Sequence, residues 1–132
     1  MAVQMELSRI LITETRDYQL IELREVDGER RLPIVIGLYE AAAIERRLKG
    51  TPSPRPQTHD LLAGVIEAMG GRLERIVIND LKDDTFFALL IVQRDGQTIE
   101  IDSRPSDAIA LGIANEVPIY VEDHVLDRVL PG

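Results

Sequence analysis

The residues best suited to chemistry lie in one short segment of the chain, from Asp102 to Asp107. Its six positions hold two carboxylates, two serine hydroxyls and one guanidinium. An arginine can bind a phosphate through two parallel hydrogen bonds, and the free N–H groups at a helix start bind anions. Carboxylates can hold a metal ion or orient a water molecule. The segment therefore fits a phosphate site in which Arg104 and Ser106 bind the substrate while Asp102 and Asp107 take part in catalysis.

The same segment has a purely structural interpretation, as the capped start of a helix. A proline suits the first helical position because its missing N–H costs nothing there, so the helix should begin at Arg104 or Pro105. Ser103 and Asp107 would then satisfy free N–H groups, and Arg104 would pair with a nearby carboxylate. Spacing alone leaves both interpretations open.

Arg55 and His59 form a second candidate group, at the start of another predicted helix. Arg55–Pro56 mirrors Arg104–Pro105, and two arginines at two helix starts could clamp one phosphodiester. His59 could serve as a general acid, a general base or a metal ligand. The alternatives are ordinary helix starts with solvated arginines, and a partly buried structural histidine.

The composition predicts one soluble domain without thiol chemistry. The chain has 132 residues and no cysteine, which excludes disulfides, thiol catalysis and cysteine-bound zinc. The first residues lack the basic start and apolar core of a signal peptide. The longest strictly apolar run, Phe86 to Val92, is too short to span a bilayer. We therefore expect a cytoplasmic protein that does not associate with membranes.

The negative net charge of the chain limits the kinds of molecule it can bind. The net charge of −8 repels nucleic acid at long range, because phosphate binding relies on basic surface. A nucleic-acid-binding protein of this charge would need a local basic patch, or metal ions between its acids and the phosphates.

Hydrophobic periodicity predicts an α+β fold: a single compact domain whose sheet, mostly antiparallel or mixed, packs against helices. Asp27–Gly28 and Asp95–Gly96 are hairpin signals. Strands are predicted at 3–12, 18–26, 31–36, 73–80, 86–93, 98–103 and 118–121. Helices are predicted at 40–49, at 59–69, from 104 or 105 to about 115, and at 125–129. The remaining segments include a polar turn at 13–17 and a proline-rich connector at 51–56.

Two of the helices have faces that we expect to point inward. Apolar residues spaced three and four apart form the core-facing stripe of an amphipathic helix. In the helix at 40–49 the inward residues are Ala41, Ile44 and Leu48. In the helix at 59–69, which Thr58 should cap, they are Leu61, Leu62, Val65, Ile66 and Met69.

The two halves of the chain resemble each other in the order of their elements. Arg9–Ile12 matches Arg75–Ile78, and Glu40–Ile44 matches Asp107–Leu111. These similarities predict a duplicated three-strand-plus-helix unit, although chance similarity between short apolar segments would also produce them. In a duplicated unit, Glu40 occupies the same position in its helix as Asp107 in the other.

Four segments of the chain resemble the bifunctional nuclease domain family of bacteria and plants. They are Arg55–Leu62, Ile78–Ala88, Ile101–Leu111 with its Asp-Ser-Arg-Pro-Ser-Asp-Ala motif, and Pro118–Val121. The resemblance runs from about Met5 to Leu130. The family takes its name from plant members that cut both DNA and RNA, so the resemblance implies hydrolysis of phosphodiester bonds.

The resemblance leads to the hypothesis of a metal-assisted nuclease. Arg55 and Arg104 would neutralise the phosphate charge, and His59 or a metal-bound water would move the proton. The cofactor would be Mg²⁺ or Mn²⁺, with no organic cofactor. The metal ligands would be Asp102, Asp107 and Glu40.

The alternative is a non-catalytic binding or regulatory module, in which the polar segment fastens a helix start or a subunit interface. The acidic charge and the lack of a complete known catalytic triad favour it. The edge strands of such a sheet need cover, so we expect a homo-oligomer.

Overall fold

Seven strands form one mixed sheet that packs with four α-helices in the part of the chain that the computed structural model describes, residues 1–13, 15 and 17–130. The strands are β1 (Ala2–Leu11), β2 (Gln19–Glu25), β3 (Arg31–Ile36), β4 (Arg72–Lys82), β5 (Thr85–Arg94), β6 (Gln97–Ser103) and β7 (Ile119–Glu122). The helices are α1 (Leu38–Lys49), α2 (Thr58–Ala68), α3 (Pro105–Gly112) and α4 (Asp123–Val129), and a 3-10 turn, Ile113–Asn115, follows α3. The α+β fold predicted from the sequence is confirmed.

The sheet is built from two similar units. Its strand order is β3-β2-β1-β7-β4-β5-β6. The strands β1, β2 and β3 form an antiparallel meander that leads into α1. The strands β4, β5 and β6 form another, which leads into α3. Between the meanders lies β7, antiparallel to β1 and parallel to β4. This order agrees with the duplicated unit predicted from the sequence.

Alternation along β2 and β3 gives this half of the sheet one apolar face and one largely polar face. In β3, for example, Leu32, Ile34 and Ile36 are buried, while the residues between them are exposed. The apolar face packs against α1 and α3. On the other face, Glu22 of β2 accepts hydrogen bonds from Arg9 at 3.4 Å and from Arg31 at 2.6 Å. The starts of α1 and α3 therefore lie on the apolar side of the sheet.

The central helix of the core is α3, in which every residue except Asp107 is buried. Its carbonyl end is held by Arg47 of α1, which is itself buried. The Nε of Arg47 donates to the carbonyl of Ala110 at 2.5 Å, and Nη2 donates to the carbonyl of Leu111 at 2.9 Å. The helix dipole favours a cation at this end of a helix. These bonds fix α1 to α3.

The predicted inward faces of α1 and α2 need correction. In α1 the third buried residue is Arg47, because the carbonyl end of α3 offers it partners, and the adjacent Leu48 is 51% exposed. In α2 only Ile66 of the five predicted residues packs against the core, together with Ala63. The other four, which are between 39% and 60% exposed, are Leu61, Leu62, Val65 and Met69. Only a narrow stripe of α2 contacts the rest of the chain, mainly α3 and β4.

Two local predictions also change. The residue that precedes α2 is Gln57, and Thr58 is already the first helical residue, so Thr58 is not the cap. The polar turn predicted at 13–17 includes Glu14 and Arg16, which lie outside the described residues.

Among the described helices, none has both the length and the apolar character needed to cross a membrane.

A substitution at the end of α3 tests how tightly the core packs. A Cβ atom at Gly112 would lie 2.9 Å from both Cδ1 of Ile76 and Cβ of Val117. Overpacking of this kind costs about 1–3 kcal/mol, so Gly112→Ala should lower the free energy of unfolding by that amount in urea denaturation. The matched control is Gly64→Ala in α2, where a Cβ meets no atom within 4 Å. It should raise the stability by about 0.5–1 kcal/mol, and equal effects at both positions would contradict the packing described.

Candidate functional site

Three helices carry an acidic residue at the same position, the third of the helix. These residues are Glu40 in α1, Asp60 in α2 and Asp107 in α3. In α1 and α2 the carboxylate accepts a hydrogen bond from the N–H of the residue before the helix, Gly37 at 3.2 Å and Gln57 at 2.9 Å. The helix dipole stabilises negative charge at this end. The acids of α1 and α2 are therefore held in place by the backbone at the starts of their helices.

In α3 the carboxylate binds side chains instead of the backbone. The Oδ2 atom of Asp107 accepts a hydrogen bond from Nε of Arg104 at 2.8 Å, and Oδ1 lies 3.0 Å from Nε2 of His59. The guanidinium of Arg104 also lies near Glu40, with 3.7 Å between Nη1 and Oε2. We call these four residues the polar cluster. It joins the two segments that the sequence singled out, 55–60 and 102–107.

The capping interpretation of the segment is realised only in part. Helix α3 does begin at Pro105, and Arg104 does pair with carboxylates. The hydroxyl of Ser103, however, donates to the carbonyl of Arg104 at 2.9 Å. The carboxylate of Asp107 is engaged by Arg104 and His59, so the polar side chains of the segment bind one another and other elements.

Ionisation of Asp107 is favoured within the polar cluster. Burial raises the pKa of this carboxyl, but the hydrogen bonds from Arg104 and His59 outweigh burial and bring the pKa below its ordinary 3.8. The hydrogen bond to Asp107 in turn raises the pKa of Arg104. Asp107 is therefore charged near neutral pH. A histidine whose Nε2–H donates to this carboxylate presents Nδ1 as a proton acceptor.

A cavity of about 400 Å³ opens beside Arg104. Its walls come from β3, the first turn of α1, the β4–β5 hairpin and the start of α3, and its polar residues include Glu40, Arg104 and Ser106. Ser106 is only 5% exposed, whereas the side chain of Arg104 is 65% exposed. A ligand can therefore approach the guanidinium although two carboxylates already contact it.

Arg55 lines a different cavity, of about 410 Å³, together with Arg46 and Arg47 of α1. Both of these neighbours bind Asp60, the Nη2 atom of Arg46 at 2.7 Å. The N–H of Gln57 and the two guanidiniums lower the pKa of Asp60 despite its burial. Arg55 itself forms no ion pair within the described residues. Three guanidiniums and one carboxylate line this cavity, which makes it a local basic patch on an acidic protein.

Two predictions about grouping are not met. Arg55 and Arg104 line separate cavities, so they do not form a single clamp. Asp102 lies opposite Leu89 in the ladder between β6 and β5, next to Ser103 and Ile101 in the strand. Alternation along the strand turns it to the face of the sheet away from α3. The face that a strand residue takes depends on the register of the sheet, which spacing in the sequence does not give.

The three predicted metal ligands do not converge. In the part of the chain that the structure describes, no three histidine, aspartate or glutamate side chains are arranged to hold an ion. Glu40 and Asp107 share the guanidinium of Arg104, and Asp102 lies on the other face of the sheet. The described side chains therefore do not form a ready-made site for Mg²⁺ or Mn²⁺.

Residues that spacing did not identify lie next to the site. Arg46 and Arg47 sit in a helix where charged residues usually face solvent, and two consecutive arginines near Gly50 were the only sequence signal. Tyr39 directly precedes Glu40 in the first turn of α1 and is 86% exposed. The exposure of an aromatic side chain next to Glu40 becomes evident only from the fold.

Comparison with known proteins assigns a family to this arrangement. Residues 21–130 match a family model described as the bifunctional nuclease domain. The chain belongs to this family. The matched range includes all four residues of the polar cluster and the three arginines of the basic patch.

The relatives of the chain include bacterial and plant proteins. An uncharacterized protein of Mycobacterium tuberculosis is 44% identical over 117 residues, which are 89% of this chain and 70% of the relative. Bifunctional nuclease 2 of Oryza sativa subsp. japonica is 29% identical over 114 residues, 83% of this chain and 35% of the relative. Bifunctional nuclease 1 of Oryza sativa subsp. indica is 25% identical over 118 residues, 86% of this chain and 36% of the relative. The chain thus spans about a third of the length of these plant proteins.

The lowered pKa of Asp107 predicts a pH-dependent contribution to stability. Because the folded-state pKa lies below the ordinary value, the contribution is present above pH 3.8 and is lost as the pH falls through the folded-state pKa. In urea denaturation, wild type should be more stable than Asp107→Asn near neutral pH, and the difference should shrink toward about pH 2. The control is Asp102→Asn, whose side chain makes no ion pair within the described residues. A stability gap for Asp107→Asn that does not change with pH would contradict this electrostatic account.

Proposed function

We propose that this chain is a nuclease that hydrolyses phosphodiester bonds of DNA and RNA at the polar cluster. The observation that carries the proposal is the contact between His59 and Asp107, 3.0 Å between Nε2 and Oδ1. Asp107 also binds Arg104, an exposed arginine that lines a cavity. Membership of the bifunctional nuclease domain family and the names of the plant relatives support the same reaction. The cytoplasmic location predicted from the sequence is part of this proposal.

His59 is the proposed proton acceptor. Asp107 accepts a hydrogen bond from Nε2–H and so fixes the orientation and tautomer of the ring, as the acid of a carboxylate–histidine pair does in other hydrolases. The Nδ1 atom then takes a proton from the water as its oxygen attacks the phosphorus. The bond between phosphorus and the leaving oxygen breaks, and the leaving oxygen receives a proton from the protonated ring or from solvent. The positive charge that develops on the ring is stabilised by the neighbouring carboxylate. Asp107 acts here as a positioning residue, since it works through His59.

Arg104 is the proposed phosphate ligand. Its Nε–H is engaged by Asp107, and the N–H groups that remain can point into the cavity it shares with Ser106. A guanidinium suits the charge that builds on the phosphate oxygens in the transition state. Glu40 and Asp107 hold the Arg104 side chain in one place. Because the side chain is already ordered, it loses less rotamer freedom when it binds a phosphate.

The basic patch and Tyr39 would bind the rest of the nucleic acid. Arg46, Arg47 and Arg55 carry positive charge that attracts backbone phosphates against the net charge of −8. Tyr39 would stack on a base, because exposed aromatic rings bind single-stranded nucleic acid with little sequence preference. On this proposal the nucleic-acid strand lies across the starts of α1, α2 and α3 and extends to the last turn of α1, which carries Arg46 and Arg47.

Mg²⁺ or Mn²⁺ as a cofactor is a separate proposal, which a chelator tests. The carboxylates of Glu40 and Asp107 are oxygen ligands of the type these ions prefer. However, both contact Arg104, and within the described residues neither they nor His59 belong to a group of three side chains arranged to hold an ion. The described residues therefore do not fit a preformed ion site, and we assign no step of the reaction to a metal.

The competing proposal is a non-catalytic binding module, and one observation favours it. The charges of the polar cluster already compensate one another, since Arg104 contacts two carboxylates and His59 contacts one of them. On this proposal the paired groups have a purely structural role, which is to hold α1, α2 and α3 together. Activity measurements on matched variants separate the two proposals.

Replacing Asp107 should abolish cleavage while leaving the fold intact. Without the carboxylate, His59 loses its orientation, and the loss of general-base catalysis lowers kcat by at least about 100-fold. The measurement is nicking of a plasmid and cleavage of single-stranded RNA by Asp107→Asn, with circular dichroism to check folding.

The matched control is Asp102→Asn, which removes one carboxylate from the other face of the sheet and should cut like wild type. EDTA is added to both to test the metal requirement. Equal rates for wild type and Asp107→Asn, with host nucleases removed, would leave the binding module as the better proposal. Loss of activity in Asp102→Asn alone would mean that the catalytic residues lie on the opposite face.

Removing the ring of Tyr39 should weaken binding of the substrate without affecting stability. Base stacking on an aromatic side chain contributes about 1–3 kcal/mol, so Tyr39→Ala should raise KM for a single-stranded oligonucleotide correspondingly, with little change in kcat. Tyr39→Phe keeps the ring and should behave like wild type. An unchanged KM in Tyr39→Ala would remove this residue from the proposed binding surface.

A further inference from the structure

The cavity beside Arg104 has more room than a phosphate group needs. Its volume of about 400 Å³ lies within the ~300–1,000 Å³ that is typical of small-molecule sites. Both units of the fold contribute to its lining, the first through β3 and the start of α1, the second through the β4–β5 hairpin and the start of α3. A phosphate on Arg104 would therefore leave space in the same cavity for the nucleoside attached to it.

Much of the lining of this cavity is apolar. Residues 33–36 of β3, Phe86 of β5 and Pro105 of α3 all belong to it. The faces of a nucleobase are also apolar, so removing both surfaces from water favours binding of a base. Walls of this kind do not by themselves distinguish one base from another, and that choice must come from the polar groups of the cavity.

One buried polar group in the lining has no partner in the protein. Ser106 is 5% exposed, and its hydroxyl forms no hydrogen bond or other polar contact within the described residues. Burying a hydroxyl is unfavourable unless a hydrogen bond compensates for the lost water. Ser106 lies two positions after Arg104, at the start of α3, and both residues line the cavity. A phosphate held by Arg104 would supply the missing partner.

The carboxylate of Asp84 is a second group that is left for a ligand. Asp84 lies in the two-residue turn between β4 and β5, lines the cavity and forms no ion pair or hydrogen bond within the described residues. The other carboxylate of the lining, Glu40, already accepts a hydrogen bond from Gly37 and lies near Arg104. A carboxylate is an acceptor only, so the part of the ligand next to Asp84 must present N–H or O–H donors.

We propose that this cavity binds a guanine base of the substrate and that Asp84 selects it. The Watson–Crick edge of guanine carries two adjacent donors, N1–H and the N2 amino group, and one carboxylate can accept both. The edges of adenine, cytosine, uracil and thymine place a donor beside at least one acceptor, which a carboxylate repels. The adjoining phosphate lies on Arg104 and Ser106. This inference rests on the proposed nuclease function and names the nucleotide that the same site prefers.

Binding of nucleoside 5′-monophosphates tests the base preference without requiring cleavage. The probes are the monophosphates of guanosine, inosine and adenosine, measured by isothermal titration calorimetry. Inosine lacks the N2 amino group and so loses one of the two bonds to Asp84. Because a hydrogen bond to a charged group is a strong one, wild type should bind the guanosine compound at least about tenfold more tightly than either of the others.

Two variants of one turn separate the role of Asp84 from a general effect of charge. Asp84→Asn replaces one acceptor oxygen by a donor, so the ratio of guanosine to adenosine monophosphate affinity should fall at least about tenfold. The matched control is Asp83→Asn, which removes the same charge from the same turn but does not belong to the lining. Both residues have positive φ, 49° at Asp83 and 62° at Asp84, which asparagine tolerates. The control should keep the preference of wild type, and an equal loss in both variants would overturn the assignment to Asp84.

Cleavage of a single-stranded oligodeoxyadenylate with one internal guanosine tests whether the preference governs the reaction. Wild type should cut beside the guanosine at least about tenfold faster than elsewhere, and inosine in its place should reduce that rate. Equal cutting at every position, with no preference among the monophosphates, would overturn the guanine pocket and leave the nuclease proposal standing. A guanosine preference in binding that depends on Asp84, without cleavage of any oligonucleotide, would overturn the nuclease proposal and leave the pocket standing.

Discussion

The guanidinium of Arg104 is shared by two carboxylates that come from the two halves of the molecule. Glu40 begins the helix of the first unit and Asp107 begins the helix of the second, at the same helical position. The units differ at the residue before the helix, which is Gly37 in one and Arg104 in the other. Gly37 has no side chain to pair with, and its N–H donates to Glu40. Arg104, in contrast, contacts both Glu40 and Asp107 through its guanidinium. Asp107 is thereby available to His59, and the site is asymmetric although the fold is repeated.

The position of this cluster follows from how α3 is buried. A helix that is apolar on every side can lie in the core, but its polar ends must still be satisfied. At the carbonyl end, Arg47 supplies the donors from α1. At the other end, the charged residues Arg104 and Asp107 emerge where α1 and α2 also begin. The candidate site is thus attached to a helix buried in the core, and a site on such an element keeps its geometry fixed.

The elements of the fold could be predicted from the sequence because their periodicity and turn signals are local. Asp95–Gly96, for example, forms a tight turn with positive φ at both residues, 51° and 76°, as its composition indicated. The direction in which each side chain points, toward the core or toward solvent, was harder to predict. It depends on the register of the strands and on neighbours far away in the chain. Asp102 was grouped with Asp107 by spacing, yet the pleat of β6 separates them. Arg47 was overlooked because only the end of α3, more than 60 residues later, gives a charged side chain a reason to be buried.

The duplicated fold also determines when the sheet can be completed. In the sheet, β1 is the strand of the first meander nearest the second, and β4 is the strand of the second meander nearest the first. Within the described residues only β7 pairs with both of them. The sheet is therefore continuous only when residues 119–122 lie between the two meanders, parallel to β4 and antiparallel to β1. A chain still emerging from the ribosome can form each meander early, but the continuous sheet has to wait for its penultimate element. Such long-range pairing slows folding.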